Sequence, residues 1–520
     1  MKNLLNLKNY IYCFFLIIFS FLLNFYVGNS GVFPVDTFLH YDSGYRILLG
    51  EHPVKDYWIV HGFLIDYMQA FFFKLFGNEW KSYLYHSSIF NTCITLFSYY
   101  IFRLLNLEVK ISLLISSLIA ILAYPISGTP FLDLHSSYFS LFAIYFGIVA
   151  VKKDKAIFWF WSSFLLNLAF FSKQVPAGYT IILISLFVIY LAIVKKNYYI
   201  FLNYAAGALL FLSILTLFLI LNKIEINDFI LQIFQFPLSI GTNRYGNYSL
   251  SLKNVILDYK FIYIIFVIIV IFNIREYLRN KKLNTEKINI FWLLSLFIFS
   301  TIFHQIYTKN QTYIFFLIPI CAGFALFYNN LEKSEYKKYL NIFIISITII
   351  STFKYHDRFN IKRKFHELQY IDISNSLNGS KIHEKFNGLK WISPYFDNPE
   401  KEIFFISEFI EILNKEQKVM VITQYNFYSS LIEKKLFSPS RTYDLISYPK
   451  KNTKYYNLYK KHIIKLLNKN KIKKIYIFER HSNLDLNHLI FDYISHDCFF
   501  KKDLNENLIL LEIKKCETLS

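Results

Sequence analysis

Cysteine is scarce. Five residues in 520 are too few for a disulfide scaffold and lack the paired spacing of a zinc site. Cys13, Cys93 and Cys321 fall within apolar runs, where packing is the expected role. Cys498 and Cys516 both stand in the C-terminal part, and a disulfide between them stays open if that part lies outside the cytoplasm. No recognisable nucleic-acid module accompanies the formal net charge of +20, so nucleic acid is not an expected partner. Many of the lysines instead sit in short loops between apolar runs, where the positive-inside rule puts them. The chain has no internal repeat, and its ionisable residues cluster at loop ends. A transporter or flippase would favour repeats, broken helices and charges at mid-membrane. No small-x-small cleavage site follows the first apolar run, which is also too long for an ordinary signal-peptide core, so it is read as a retained span.

What is abundant is apolar sequence: 55% hydrophobic and 20% aromatic residues, with a mean hydropathy of +0.34. It is concentrated in runs of roughly 17 to 25 residues, long enough to cross a bilayer as helices. They lie near 11–27, 85–105, 111–127, 137–151, 156–171, 177–194, 199–221, 261–274, 289–306, 312–328 and 339–353. The expected fold is therefore an α-helical polytopic membrane protein of about eleven transmembrane helices. Alternate loops hold the basic residues, among them Arg103, Lys110, Lys152, Lys195, Arg275 and Lys337. That pattern places the N-terminus in the cytoplasm and turns the loops 28–84, 128–136, 172–176, 222–260 and 307–311 outward, with the C-terminus outward as well.

After about Lys354 the composition becomes charged and polar. KVMVITQY (418–425), KKIYIFE (473–479) and LILLEIK (508–514) read as buried strands, and YSSLIEKKL and YNLYKKHIIKLLNKNK between them have helical spacing. A transmembrane domain over 1–354 and a small α/β extracytoplasmic domain over 355–520 follow. No glycine-rich phosphate loop follows any of these strands, so a structural or acceptor-docking role is expected of the second domain.

The outward loops share one kind of chemistry. Loop 28–84 is the chain's densest mixture of carboxylates, histidines and aromatics, with Asp36, Asp42, Asp56, Asp66, His40, His52 and His61. Loop 128–136 brings Asp133 and His135, loop 172–176 brings Lys173, loop 307–311 brings Lys309, and loop 222–260 brings Arg244. A carboxylate can take the proton of an attacking hydroxyl, while lysine or arginine can hold a departing phosphate. Together these describe transfer of a group from a lipid-linked phosphate to an acceptor hydroxyl at the outer face. Blander roles stand beside them: Asp36 is placed to cap a helix, Asp133 to cap the next span, and Lys173 and Lys309 to snorkel to headgroups.

The order Asp36, YRILLG ending at Gly50, HPVKDYW, HG and AFFFKLFG resembles the first outer loop of the C-type (GT-C) membrane glycosyltransferases. That superfamily includes the protein O-mannosyltransferases and the lipid A aminoarabinose transferases. Asp36, Gly50, Pro53, Asp56, His61, Gly62 and Phe76-Gly77 carry the match, and SKQ and KNQTYIFFLIP resemble later segments. The likeness covers roughly residues 10–330. It implies an inverting glycosyltransferase of a bacterial inner membrane. Its donor would be a polyprenyl-phosphate sugar, and its acceptor a surface glycan, lipid or protein, with membrane lipids around it. Carried over residue by residue, it implies Asp36 as general base, with Asp42 a competitor for that role. Asp133 and His135 would position acceptor or metal, Lys173, Lys309 and Arg244 would bind the donor phosphate, and Tyr41, Tyr45, Tyr57 and Trp58 would line a sugar or lipid site. Many members have a second acid next to the base, where this chain has Thr37; a divalent metal, magnesium or manganese, is therefore left open. The rival readings are an O-antigen polymerase or ligase, a polytopic lipid or glycan transporter, and a membrane scaffold.

Overall fold

The structure is a computed structural model that describes residues 7–123, 128–245, 251–280, 284–308, 314–330, 336–363, 368, 370–444, 446–478 and 486–514. Each apolar run is helical: Leu7–Gly28, Trp80–Leu104, Val109–Leu122, Leu132–Lys153, Ile157–Ser172, Gln174–Val194, Tyr199–Leu221, Lys260–Asn280, Thr285–Thr308, Leu317–Asn330 and Lys337–His356. Among the described residues, length and composition single out six as able to cross a membrane: Asn9–Gly28, Leu132–Lys153, Gln174–Val194, Tyr199–Leu221, Lys260–Arg279 and Thr285–Thr308. Three more, Val109–Leu122, Ile157–Ser172 and Leu317–Asn330, are apolar but shorter. This is a multi-pass membrane chain.

Two compact units make up the molecule. One gathers residues 1–28, 87–217 and 247–365; the other gathers 29–86, 218–246 and 366–520. The segment 28–84 therefore shares a unit with the C-terminal residues rather than with most of the spans.

In the first unit, Leu132–Lys153 is buried on nearly every side, as expected of a helix that is apolar all round. Several buried polar side chains inside this unit pair with one another. Asn24 Nδ2 lies within hydrogen-bond reach of Ser87 Oγ (2.8 Å), Ser88 Oγ (3.1 Å) and the Gly128 carbonyl (3.0 Å). Ser98 and Tyr145 hydroxyls meet at 2.8 Å, as do those of Thr180 and Ser300. Such bonds tie helices together where no water is at hand. Gly207 lets Tyr199–Leu221 cross close to Ile157–Ser172, since a Cβ there would strike the Phe160 carbonyl.

The second unit contains a four-stranded sheet. Val419–Thr423 runs parallel to Lys474–Phe478, which pairs antiparallel with Leu508–Ile513, itself antiparallel to Phe499–Asn505. The first three strands are the expected ones. The fourth, FFKKDLN, is an exposed edge after its first residue and so lacks the apolar pattern that betrays a strand. Helix Pro399–Lys415 starts where Asn398 accepts the Glu400 N–H at 2.8 Å, with Pro399 in the first turn. YSSLIEKKL shortens to the helix Tyr428–Ile432 because Glu433 turns left-handed, at φ +55°. YNLYKKHIIKLLNKN is helical over Tyr456–Asn470.

Residues 29–86 are stitched into this domain by backbone bonds. Gly31 N–H meets Lys390 O (3.0 Å), Val32 N–H meets Ile392 O (2.9 Å), Trp58 N–H meets Pro439 O (2.8 Å), and Arg441 N–H meets Trp58 O (2.9 Å). The Phe38 ring sits 4.8 to 5.9 Å from those of Phe427, Phe386, Trp80 and Trp391. Cys498 is buried and disulfide-bonded; Cys516 lies outside the described residues.

Candidate functional site

In the second unit the acidic residues of segment 36–66 divide by environment. Asp66, in the first turn of helix Leu64–Phe76, is fully buried. Its Oδ1 lies 2.6 Å from His40 Nδ1, and its Oδ2 accepts from Arg441 NH1 at 2.8 Å. Arg441 also donates to the Gly62 carbonyl at 3.1 Å. Burial holds the His40 imidazole below its usual pKa, against the opposing pull of Asp66. Glu51 is equally buried and accepts from Arg46 Nε at 2.8 Å. The Arg46 guanidinium lies 3.9 Å over the Tyr57 ring and donates to the Ser438 carbonyl at 3.1 Å. Asp56 closes a turn by accepting the His52 N–H (3.0 Å) and meets Lys469 at 3.3 Å. Burial raises its pKa, but these two partners more than compensate and hold it below the ordinary carboxylate range.

Asp36 and Asp42 differ from these. Asp36 lies in the short helix Pro34–Thr37 and Asp42 in the first turn of Leu39–Leu48, and both are half-buried. Burial pushes the Asp42 carboxyl up to about 6; Arg46 opposes this, and the charges of Glu51 and Asp66 add to it. Tyr41 and Tyr57 are fully buried and Trp58 and Tyr45 nearly so. These rings pack the unit's interior: Trp58 lies edge-on to Phe236 and Tyr459, each at 5.4 Å. Gly50, at φ +79°, supplies a conformation that a side chain would strain. Much of the family-like motif thus holds the segment in place.

The first unit gathers a second cluster. Asp133, in the first turn of Leu132–Lys153, is 3% exposed. Its Oδ2 accepts from Lys173 Nζ at 2.6 Å, and its Oδ1 lies 3.0 Å from His304 Nε2. Lys173 caps the C-terminus of Ile157–Ser172, and its carbonyl accepts from Ser136 Oγ at 3.2 Å. His135 Nδ1 bonds the Phe131 carbonyl at 2.9 Å, and its ring packs 4.5 Å from Phe90. The structure therefore brings Asp133 and Lys173 together and adds His304, which the sequence reading did not single out. A signal was available: His304 is an ionisable residue in an apolar, span-length helix. Lys309 lies outside the described residues, as does the side chain of Arg244, whose backbone belongs to helix Phe236–Tyr245.

Three solved structures of an archaeal oligosaccharyltransferase resemble this chain. All are from Archaeoglobus fulgidus. The complex of AglB with an inhibitory peptide and a dolichol-phosphate is 10% identical, with a TM-score of 0.46 over 91% of this chain and 70% of that one. The apo form gives 11% and 0.48 over 90% and 69%, and the complex with Zn and sulfate gives 11% and 0.44 over 89% and 68%. No protein-family profile and no curated protein matches.

The residues themselves limit the chemistry. Both Asp133 oxygens are engaged by Lys173 and His304. Among the described residues, no three His, Cys, Asp or Glu side chains gather to hold a metal ion. With both oxygens engaged, the Asp133 cluster does not fit the donor set of a resident divalent ion. What the clusters offer is the half-buried carboxylates Asp36 and Asp42 in one unit, of which burial raises Asp42, and a carboxylate-anchored ammonium in the other.

Proposed function

We propose that this chain is a membrane glycosyltransferase that moves a sugar from a polyprenyl-phosphate donor to a glycan, lipid or protein acceptor at the outer face. Asp36 takes the proton of the acceptor hydroxyl as its oxygen bonds to the anomeric carbon. The bond from that carbon to the phosphate oxygen breaks, and polyprenyl phosphate leaves with both electrons. One displacement by one base inverts the anomeric centre. Lys173 meets the charge developing on the departing phosphate, joined in this reading by Lys309 and Arg244. Asp133 keeps the Lys173 ammonium in place, and the buried His135 steadies the start of the same helix through its bond to the Phe131 carbonyl.

The observation that carries this reading is Lys173 held by Asp133, whose other oxygen meets His304, among apolar helices. Ionisable groups at such positions are costly and are retained for work on a substrate or ion.

The test is transfer of labelled sugar from a panel of polyprenyl-phosphate donors in membranes, comparing the native chain with Asp36→Asn at matched expression. Transfer by the native chain alone supports both reaction class and base. Retained transfer removes Asp36 from the mechanism, and a rate that then rises through pH near 6 assigns the base to Asp42, whose carboxyl titrates there. Failure of the native chain across the whole panel overturns the transferase reading in favour of a transporter.

A further inference from the structure

The segment that follows Tyr199–Leu221 carries a surface that the proposed reaction does not use. Residues 226–245 run as one helical stretch through Ile226–Ile230, a wider π-type turn at Leu231–Gln235, and Phe236–Tyr245. One side is locked into the second unit. Phe229, Leu231, Gln232, Ile233 and Phe236 are buried there. Gln232 donates to the Val54 carbonyl (2.9 Å) and accepts the Ile59 N–H (3.0 Å).

The opposite side presents Ile226, Ile230, Phe234 and Leu238, four residues apart, with 58%, 40%, 38% and 71% of their surfaces exposed. A helix face turned to water carries polar residues. An aligned apolar row of this length needs a partner or an apolar phase.

The chain path identifies which. Tyr199–Leu221 is a spanning-length helix whose last turn exposes Ile220 and Leu221 by 67% and 70%. The chain then folds straight back on that end: Lys223 N–H bonds Ile220 O (3.1 Å) and Ile224 N–H bonds Leu219 O (2.9 Å). Ile226 follows two residues later. The apolar row therefore begins at the level where the spanning helix leaves the hydrocarbon. Lys223 is exposed at that turn, and Lys55 Nζ donates to the Asn222 carbonyl at 2.8 Å, so cations stand where phosphate headgroups would lie.

We propose that helix 226–245 lies along the outer bilayer surface, with Ile226, Ile230, Phe234 and Leu238 inserted at the headgroup–acyl boundary. Phospholipid is the partner. An interfacial helix of this kind is bound by its apolar face and flanking cations, and it would anchor the second unit to the membrane.

The test uses the full chain in vesicles of phosphatidylcholine and tagged phosphatidylglycerol. Benzoylphenylalanine replaces Phe234 or Leu238 in two variants, and Asn227 or Gln235, exposed polar residues of the same stretch, in two others. Irradiation should give phospholipid adducts several-fold more abundant at 234 and 238 than at 227 and 235. Equal yields at all four positions would overturn the proposal. So would crosslinking of 234 and 238 to a second copy of the chain, or to added polyprenyl phosphate in preference to phospholipid.

Discussion

The Lys173–Asp133 pair permits a test that separates holding the fold from handling a substrate. The pair is 2.6 Å long, with side-chain exposures of 15% and 4%. Lys173→Met removes the cation and leaves a buried carboxylate, a change that costs about 3–5 kcal/mol in comparable sites. His304, 3.0 Å from Asp133, remains as a partner of the carboxylate, which puts the expected loss near the lower end, ~3 kcal/mol. Asp133→Asn combined with Lys173→Met removes both charges. An uncharged replacement of a buried pair is commonly neutral, so the double variant should return to within about 1 kcal/mol of the native chain. Transfer should not return with it, because the cation that meets the phosphate is still missing. One lost charge-stabilising donor is worth roughly 10²–10³ in kcat. Thermal unfolding in detergent reads the first quantity, and sugar transfer in membranes reads the second. A double variant that is stable and fully active would remove Lys173 from donor binding. A single Lys173→Met variant as stable as the native chain would show that the pair is not a buried charge pair at all.

Two further outcomes follow from groups of the second unit. The Asp42 carboxyl sits at about 6 against ~3.9 unfolded, so the native state binds the proton more tightly. Its contribution to stability is full below about pH 4 and declines as pH rises toward about 6, by at most ~3 kcal/mol. Asp42→Asn should abolish that decline, making the variant the more stable of the two at neutral pH; parallel unfolding-versus-pH curves for both proteins would refute the burial argument. Glu402 is fully buried and accepts from Trp391 Nε1 (2.8 Å), Ser393 Oγ (2.6 Å) and Tyr425 Oη (2.7 Å). Glu402→Leu strands three donors and should cost ~3 kcal/mol or more, whereas Glu402→Gln keeps an acceptor and loses less; equal melting points for the two variants would show that the donors find other partners.

The parts of the fold legible in the sequence are those where a short window carries its own reason. An unbroken apolar run must close its backbone bonds internally, so each of the eleven runs is a helix. Val419–Thr423 and Lys474–Phe478 are strands because nearly every residue is buried on either face and β-branched or aromatic residues fill most positions. Asp133 and Lys173 were both singled out from their loops, but as groups with separate roles; that they form a pair came only with the fold. What joins residues far apart was not legible. Trp58 meets Pro439, Arg46 meets Ser438 and Asp66 meets Arg441, each across more than 370 positions, and no local pattern encodes such a pairing. His304 was passed over for a related reason: its partner lies 171 positions away.

That blind spot bears on how the family-like motif is understood. Read as a string, its charges and rings all look equally able to meet a substrate. Folded, they separate by cost. Arg46, Glu51 and Asp66 are almost fully buried and paired, and leaving any of them unpaired would cost several kcal/mol. Tyr57 and Trp58 have given up nearly all their exposure to packing. Groups so committed cannot trade their partners for a substrate at every turnover. Asp36 and Asp42 remain half-exposed on the same rigidly held segment. Under the proposed reaction, a carboxylate that takes up and releases a proton needs a fixed backbone and partial access, and burial raises the Asp42 carboxyl toward neutrality. The motif's structural residues and its two accessible carboxylates are then one arrangement, in which the first group holds the second in position.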